Sequence, residues 1–250
     1  MFRLDGKIAL VTGAATGIGQ AIAVALAANG ANVAITDKDP ESLLETESLV
    51  LEQERLVFKA KIDVRDVDQI KHRVIEIERA FGSIDILVNN AGINRPAPAD
   101  HATVDEWDDH FNTNVRGGFF LAQAVSFGMR TRGWGRIIFI SSQSGLVGVP
   151  GQPIYCATKG AVIQLVRSLG LEWAKDGITV NSIAPTFVET NLTRKRLGNP
   201  AFRSFVLNKI PKGTLAELDQ IGAAAVYLAS NETAMVNCET HRVDGGWTAW

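Results

Sequence analysis

Short apolar runs alternate along the chain with longer segments whose apolar residues recur every three to four positions. The first run, 7–12 (KIALVT), stops at Gly13. An Ala-rich segment with helical spacing, 17–29, follows it and ends at Gly30, which can take the left-handed conformation that closes a helix. Residues 32–36 predict a second strand, followed by Asp37, and a helix runs from 40 to about 53 with Asp39 as its N-cap. A strand over 55–62, a helix over 66–81 and a strand over 84–88 come next, the last running into Asn89-Asn90-Ala91-Gly92. In the second half the pattern predicts a helix over about 103–131, broken near 111–114, and a strand over 136–140. A long helix over 154–175 and a strand over 178–183 follow. After an irregular polar stretch, 184–212, come a helix over 217–229 and a short strand over 241–243.

Most of these strands are near-continuous apolar runs, which marks a parallel sheet covered on both faces. Repeated strand–helix units with right-handed crossovers then give an α/β, doubly wound parallel sheet of about seven strands with helices on both faces. No repeat or low-complexity linker divides the chain, so 1–250 is expected to form a single domain, with 186–212 as a mobile substrate lid.

Composition narrows the partners. The 25 basic and 27 acidic residues leave a net charge of −2, without the basic surplus of a general nucleic-acid binder. Two cysteines make no disulfide framework, and no apolar signal region or run of about 18 apolar residues occurs. The expectation is a cytoplasmic protein that binds neither membrane nor nucleic acid. The four histidines are scattered without ligand spacing, so no metal is expected.

The first strand leads into Thr12-Gly13-Ala14-Ala15-Thr16-Gly17-Ile18-Gly19. Gly13 allows a tight turn, and Gly17 and Gly19 let the backbone approach a pyrophosphate and the helix pack on the sheet. The helix that follows, starting beside Thr16 and Ile18, would offer free N–H groups to phosphate. The glycines could also serve only as turn residues; their place between strand and helix favours phosphate. Asp37 can accept hydrogen bonds from an adenosine ribose and would repel a 2′-phosphate, which points to NAD over NADP. Lys38 beside it could tolerate that phosphate, and Asp37 could instead cap a turn.

Tyr155 and Lys159 stand at i and i+4 on the long helix, on one face. An ammonium near a phenol stabilises the phenolate, so the Tyr155 pKa is expected to fall towards the working pH and suit it to general acid–base work. Ser142 follows the fifth strand, at the edge where open α/β sheets bind ligands.

With these residues in place, the chain closely resembles the short-chain dehydrogenase/reductase family, over nearly its whole length and in motif order. The matching segments are Thr12-Gly-x-x-x-Gly-Ile-Gly19, Asp63-Val64, Asn89-Asn-Ala-Gly92, Asn114, Ser142, Tyr155-x-x-x-Lys159, Asn181 with Pro185, and Val243-Asp-Gly-Gly246. The resemblance implies a Rossmann-like fold and a set of roles. Tyr155 exchanges the proton with the substrate oxygen, Lys159 holds the nicotinamide ribose, and Ser142 stabilises charge on that oxygen. Asn114 breaks its helix and anchors a water in a relay to Lys159. Asp63 and Val64 meet the adenine, Asn90, Ala91 and Gly92 the adenosine ribose side, and Val188 and Thr190 the nicotinamide carboxamide. The chain departs from the family pattern at Thr186, where glycine is usual, at Val236-Asn237-Cys238, and at the Glu217 helix opening.

Ile93, Asn94, Arg95, Ser144, Gln152 and Glu189 flank these positions and are the candidate substrate contacts. Their polarity suits a sugar, polyol or sugar acid, although each also fits a solvated loop. Arg194-Lys195-Arg196 could attract an anion or be plain surface. Trp247 and Trp250 close the chain, either packed over the sheet edge or near a neighbouring subunit, since family members commonly form homotetramers. The resulting expectation is an NAD-dependent enzyme acting on CH–OH groups. The alternatives are a 3-oxoacyl-thioester or other carbonyl reductase, and a dinucleotide-binding sensor without turnover.

Overall fold

The computed structural model describes residues 1–249, and Trp250 lies outside them. In chain order the regular elements are β1 (Ile8–Thr12), α1 (Gly17–Ala28), β2 (Asn32–Asp37), α2 (Leu44–Leu51), β3 (Val57–Lys61), α3 (Val67–Phe81), β4 (Ile86–Asn89) and α4 (Val104–Phe111). They continue as α5 (Gly117–Arg132), β5 (Gly135–Ile140), α6 (Pro153–Trp173), β6 (Ile178–Pro185), α7 (Arg194–Leu197), α8 (Pro200–Lys209), α9 (Leu218–Ala229) and β7 (Thr240–Val243).

The seven strands form one parallel sheet in the order β3-β2-β1-β4-β5-β6-β7. Every residue of β1, β4, β5 and β6 is buried, whereas the edge strands β3 and β7 are partly exposed. Alternate residues of one strand feed two cores. Ala9 and Val11 of β1 pack with α1 and α9 on one face, while Leu10 packs with α3, α5 and α6 on the other. Such double coverage is why the runs look continuously apolar rather than alternating. The chain winds outward from β1 to β2 and β3, then crosses back to β4 on the other side of β1. A crevice is left at the carboxyl ends of β1 and β4, where open sheets of this type take ligands.

The helix after Asp39 begins as a 3₁₀ turn, Pro40–Leu43, before α2. The expected break near 111–114 is a π-helical turn, Asn112–Arg116, between α4 and α5. The stretch 184–212 differs from the expectation, because it holds α7 and α8. Asn199 caps α8, its side chain accepting from Phe202 N at 3.1 Å, with Pro200 in the first turn. Together Leu197, Val206 and Ile210 bury a third small core against Trp247. The Trp247 ring lies 5.8 Å from Phe187 and 6.3 Å from Phe205, so this tryptophan packs within the chain. No described helix is long and apolar enough to cross a membrane.

Candidate active site

The loop after β1 is set by close approach. Gly13 has φ +61, and a Cβ there would lie 2.9 Å from Ala91 Cα. A Cβ on Gly19 would overlap Gly13 O and Asn90 Nδ2. Asn90 Nδ2 donates to Thr12 O and to Gly13 O, both at 2.9 Å, and the N–H groups of Asn90 and Ala91 donate to Thr12 Oγ1 at 3.1 Å. Asn90 thus ties the end of β4 to the glycine loop. Thr16, the N-cap of α1, makes no side-chain cap, so the first-turn N–H groups point outward from the helix start.

A cleft of about 380 Å³ runs along the carboxyl edge of the sheet. It is lined by all of the expected cofactor residues except Gly19, which shapes the loop from behind. Gly13, Thr16, Gly17 and Ile18 form one wall, and Asp37, Asp63 and Val64 lie near it. Asn90, Ala91 and Gly92 continue the lining towards Tyr155 and Lys159, with Val188 and Thr190 on the chain after β6. Lys38 and Arg65 also line it. Arg65 lies 2.7 Å from Asp63 and 3.5 Å from Asp109, whose other oxygen is 2.7 Å from Arg95. Hydrogen bonding to Arg65 holds the Asp63 carboxyl below its ordinary pKa, and Arg95 does the same for Asp109. Of this Arg65–Asp109–Arg95 chain only Arg95 is a sequence candidate: the three members are far apart in sequence and meet only through packing.

Tyr155 and Lys159 share the face of α6 that fronts the end of β5. Lys159 is buried, its Nζ donating to Ile140 O at 2.7 Å and lying 5.6 Å from the Tyr155 ring centre. Ser141 Oγ donates to Lys159 O at 3.2 Å, and Ser142 Oγ accepts from Ser144 N at 3.1 Å. Tyr155 as a residue is half-buried, but its hydroxyl is closely surrounded by protein. Burial pushes the phenol up to about 12, against the opposing pull of the Ser142 hydroxyl. The expected fall of the Tyr155 pKa is therefore not what this arrangement produces. Both partners are desolvated, and burial moves Lys159 down to about 8.

Asn114 lies outside the cleft, in a small adjoining cavity with Lys159. Its Oδ1 accepts from Ile93 N at 2.8 Å, and its Nδ2 donates to Ile93 O at 2.9 Å and Thr158 Oγ1 at 3.1 Å. Both amide hydrogens are thus spent on holding the Ile93 loop and α6, leaving one lone pair of Oδ1 for any relay. The π-helical turn places this residue between those two elements.

At the same end Ile93, Asn94, Arg95, Ser144 and Gln152 line the cleft, and Asn94 Nδ2 donates to Gln152 Oε1 at 2.6 Å. Glu189 does not line it. Its side chain is 55% exposed and lies 3.8 Å from Arg203, turned out towards α8. Gln143 and Thr186 do line it and are buried; Gln143 was no candidate, and Thr186 stood out only as a departure from the family pattern. Gln143 sits in a polar Ser-Ser-Gln-Ser run that gives no hint of burial. Arg194-Lys195-Arg196 lies outside the lining, with Arg196 stacked over Phe202 at 4.2 Å.

This set of groups fits a nicotinamide dinucleotide. A glycine cradle and a helix start face the pyrophosphate position, a carboxylate ends β2, and a lysine and tyrosine stand at the reacting end. A family model described as enoyl-(acyl carrier protein) reductase matches residues 13–248. The gluconate 5-dehydrogenase of Gluconobacter oxydans is 38% identical over 99% of this chain and 97% of its own length. The D-threitol dehydrogenase of Mycolicibacterium smegmatis is 41% identical over 99% and 95%. Relatives named 3-oxoacyl-[acyl-carrier-protein] reductase are also found. Among solved structures, a gluconate 5-dehydrogenase from Burkholderia cenocepacia, in complex with NADP and tartrate, superposes with a TM-score of 0.96. It is 38% identical and covers 100% of this chain and 98% of that one. With the motifs on one cleft and likeness along the entire chain, this protein belongs to the short-chain dehydrogenase/reductase family, nicotinamide-dinucleotide-dependent oxidoreductases acting on CH–OH groups.

Proposed function

We propose that the protein oxidises a secondary alcohol of a sugar, polyol or sugar acid, or reduces the matching ketone. The observation that carries this reading is the gathering of Ser142, Tyr155 and Lys159 at one end of the cleft whose other end is the glycine loop. The nicotinamide ring, when bound, takes or gives the hydride. Ser142 holds the substrate oxygen by a hydrogen bond, and Tyr155 accepts its proton in oxidation or supplies it in reduction. With the phenol at about 12, Tyr155 holds its proton at neutral pH, where it can be supplied in reduction. Oxidation needs the phenolate, and Lys159, charged below about pH 8, is the cation on that face which favours it. The free lone pair of Asn114 Oδ1 is what that side chain has left to hold a relay water.

For the cofactor, NAD is the preferred form. Asp37 ends β2 in the cleft, and the charge of Arg65 is already shared between Asp63 and Asp109, so Lys38 is left as the cation for a 2′-phosphate. The same reading takes 1–250 as a single catalytic unit with 186–212 as its lid, supported by the packing of Phe187 and Phe205 on Trp247. It keeps the protein a cytoplasmic homotetramer, consistent with free thiols at Cys156 and Cys238. A 3-oxoacyl-thioester reductase is the second enzymatic reading, favoured by the relatives of that name. Initial rates separate the readings. Sugars, polyols and aldonates are offered with NAD and NADP, and an acetoacetyl thioester with NADH and NADPH. Oxidation of the hydroxylated compounds with NAD ahead of NADP is expected. Thioester reduction alone, with NADPH preferred, overturns both parts of the reading. No turnover in either arm leaves the sensor.

A further inference from the structure

The substrate end of the cleft contains four buried polar side-chain atoms that find no hydrogen-bond partner among the described residues: Asn94 Oδ1, Gln143 Oε1, Gln152 Nε2 and Thr186 Oγ1. All four residues line the cleft. Gln143 is 1% exposed and Gln152 3%, so bulk water does not serve them. A buried polar atom left unpaired costs about 1–3 kcal/mol, so a cluster of them marks where a bound molecule completes the bonding.

The chemistry of the four atoms defines that molecule. Asn94 and Gln152 are bonded to each other through one amide group apiece. Whichever way the two amides are turned, the pair presents one free carbonyl oxygen and one free NH2 group. Gln143 adds a second carbonyl oxygen, and Thr186 a hydroxyl. Unpaired amide oxygens beside an amide NH2 and a hydroxyl match alcohol groups, each of which gives a hydrogen and accepts another. A carboxylate only accepts, so it would leave the unpaired amide carbonyl oxygens without a donor. Nor is a counter-cation free at the substrate end. Four cations line the cleft. Arg95 is paired with Asp109 at 2.7 Å, Arg65 with Asp63 at 2.7 Å, Lys159 is bonded to Ile140 O beside Tyr155, and Lys38 lies near Asp63 at the cofactor loop.

Resting on the dehydrogenase reading above, we propose that this end of the cleft selects a neutral polyol with hydroxyl groups on both sides of the reacting carbon, and discriminates against the corresponding aldonate, with Asn94, Gln143 and Gln152 as the specificity-determining residues.

The test is a set of initial rates on the wild-type protein with NAD and with NADP, using a tetritol, the four-carbon aldonate of the same configuration, and 2,3-butanediol, which lacks the terminal hydroxyls and so keeps a hydroxyl on only one side of the reacting carbon. The tetritol is expected to exceed both others in kcat/KM by at least about 30-fold, since each polar group left unmatched is worth about 5–150-fold. In Gln143→Leu, tetritol activity falls while butanediol activity holds or rises, so their ratio narrows at least about fivefold. NADH affinity, read by fluorescence, stays unchanged. Gln152→Leu gives the same narrowing should the first variant fold poorly. Equal or better activity with the aldonate overturns the proposal, and so does an equal loss on tetritol and butanediol in the folded variants. Turnover of butanediol with no gain from added hydroxyls defeats the proposal but leaves the dehydrogenase reading standing. No turnover of any alcohol defeats both.

Discussion

At Tyr155 and Lys159, burial and charge act in opposition. The i, i+4 spacing makes the pair visible in the sequence, and proximity alone would lower the tyrosine pKa. The fold also takes both groups out of water, and each shifts towards its neutral form. Gln143 and Thr186 were hidden for a related reason. A glutamine among serines reads as loop surface, and only tertiary packing brings it to 1% exposure.

Two predictions follow at this scale. In alcohol oxidation Tyr155 must lose its proton while Lys159 keeps its own, so kcat/KM is expected to climb with pH up to about 8 and to level off above it, while ketone reduction stays level or falls. A pH-independent oxidation rate contradicts the assigned base. The second concerns stability. A Lys159 pKa lowered from 10.5 to about 8 means a cost near 3 kcal/mol at pH 7, about 1.36 kcal/mol per unit. Between about pH 8 and 10.5 the unfolded chain binds the proton that the folded protein has released, so wild-type stability rises with pH over that window. Lys159→Met should therefore be more stable than wild type at pH 7, by that amount less the lost bond to Ile140 O. The advantage should shrink at pH 10. Urea unfolding at both pH values measures it.

At the scale of elements, strands were the most legible part of the chain. Burial on both faces writes each one as an unbroken apolar run, and the observed strands fall within a residue or two of the expected ones. The turn at Asn112–Arg116 was legible as a weakness in a long helix, though not as a π-helical one. The helices of 184–212 were not legible. In α7 only Leu197 is buried and in α8 only Val206, too few for a helical stripe to show, and both depend on Trp247 from the far end of the chain. The glycine loop was legible in composition, but not the part Asn90 plays in fastening it to β4. In Gly19→Ala the new Cβ meets Gly13 O and Asn90 Nδ2. Cofactor affinity should fall at least about tenfold, a loss of 1.4 kcal/mol or more, and the melting temperature should drop. Fluorescence titration with NADH checks the first, and thermal unfolding the second.

For the whole molecule, one topological fact organises the rest: the strand order reverses direction at β1 and β4, so loops from both halves of the sheet meet over one cleft. The polar groups of the two halves are joined there, by Asn90 at the glycine loop and by Asp109 between Arg65 and Arg95. The outer surface bears on assembly. Phe127 on α5 is 78% exposed and Leu171 on α6 74%, both on helices covering the same face of the sheet. Large apolar side chains left open suit a subunit contact. Sedimentation equilibrium is expected to give four times the 27.0 kDa chain mass, and Phe127→Asp to lower it. A wild-type monomer contradicts the tetramer.

The reaction itself is tested most directly by Tyr155→Phe, which removes one hydroxyl and keeps the ring. Turnover of a polyol with NAD and NADH affinity are measured on the same preparation. The expected result is a loss of turnover of at least about 10³-fold with the NADH dissociation constant within about threefold of wild type. Turnover within tenfold of wild type contradicts the role given to Tyr155, and with it the mechanism built on this cleft.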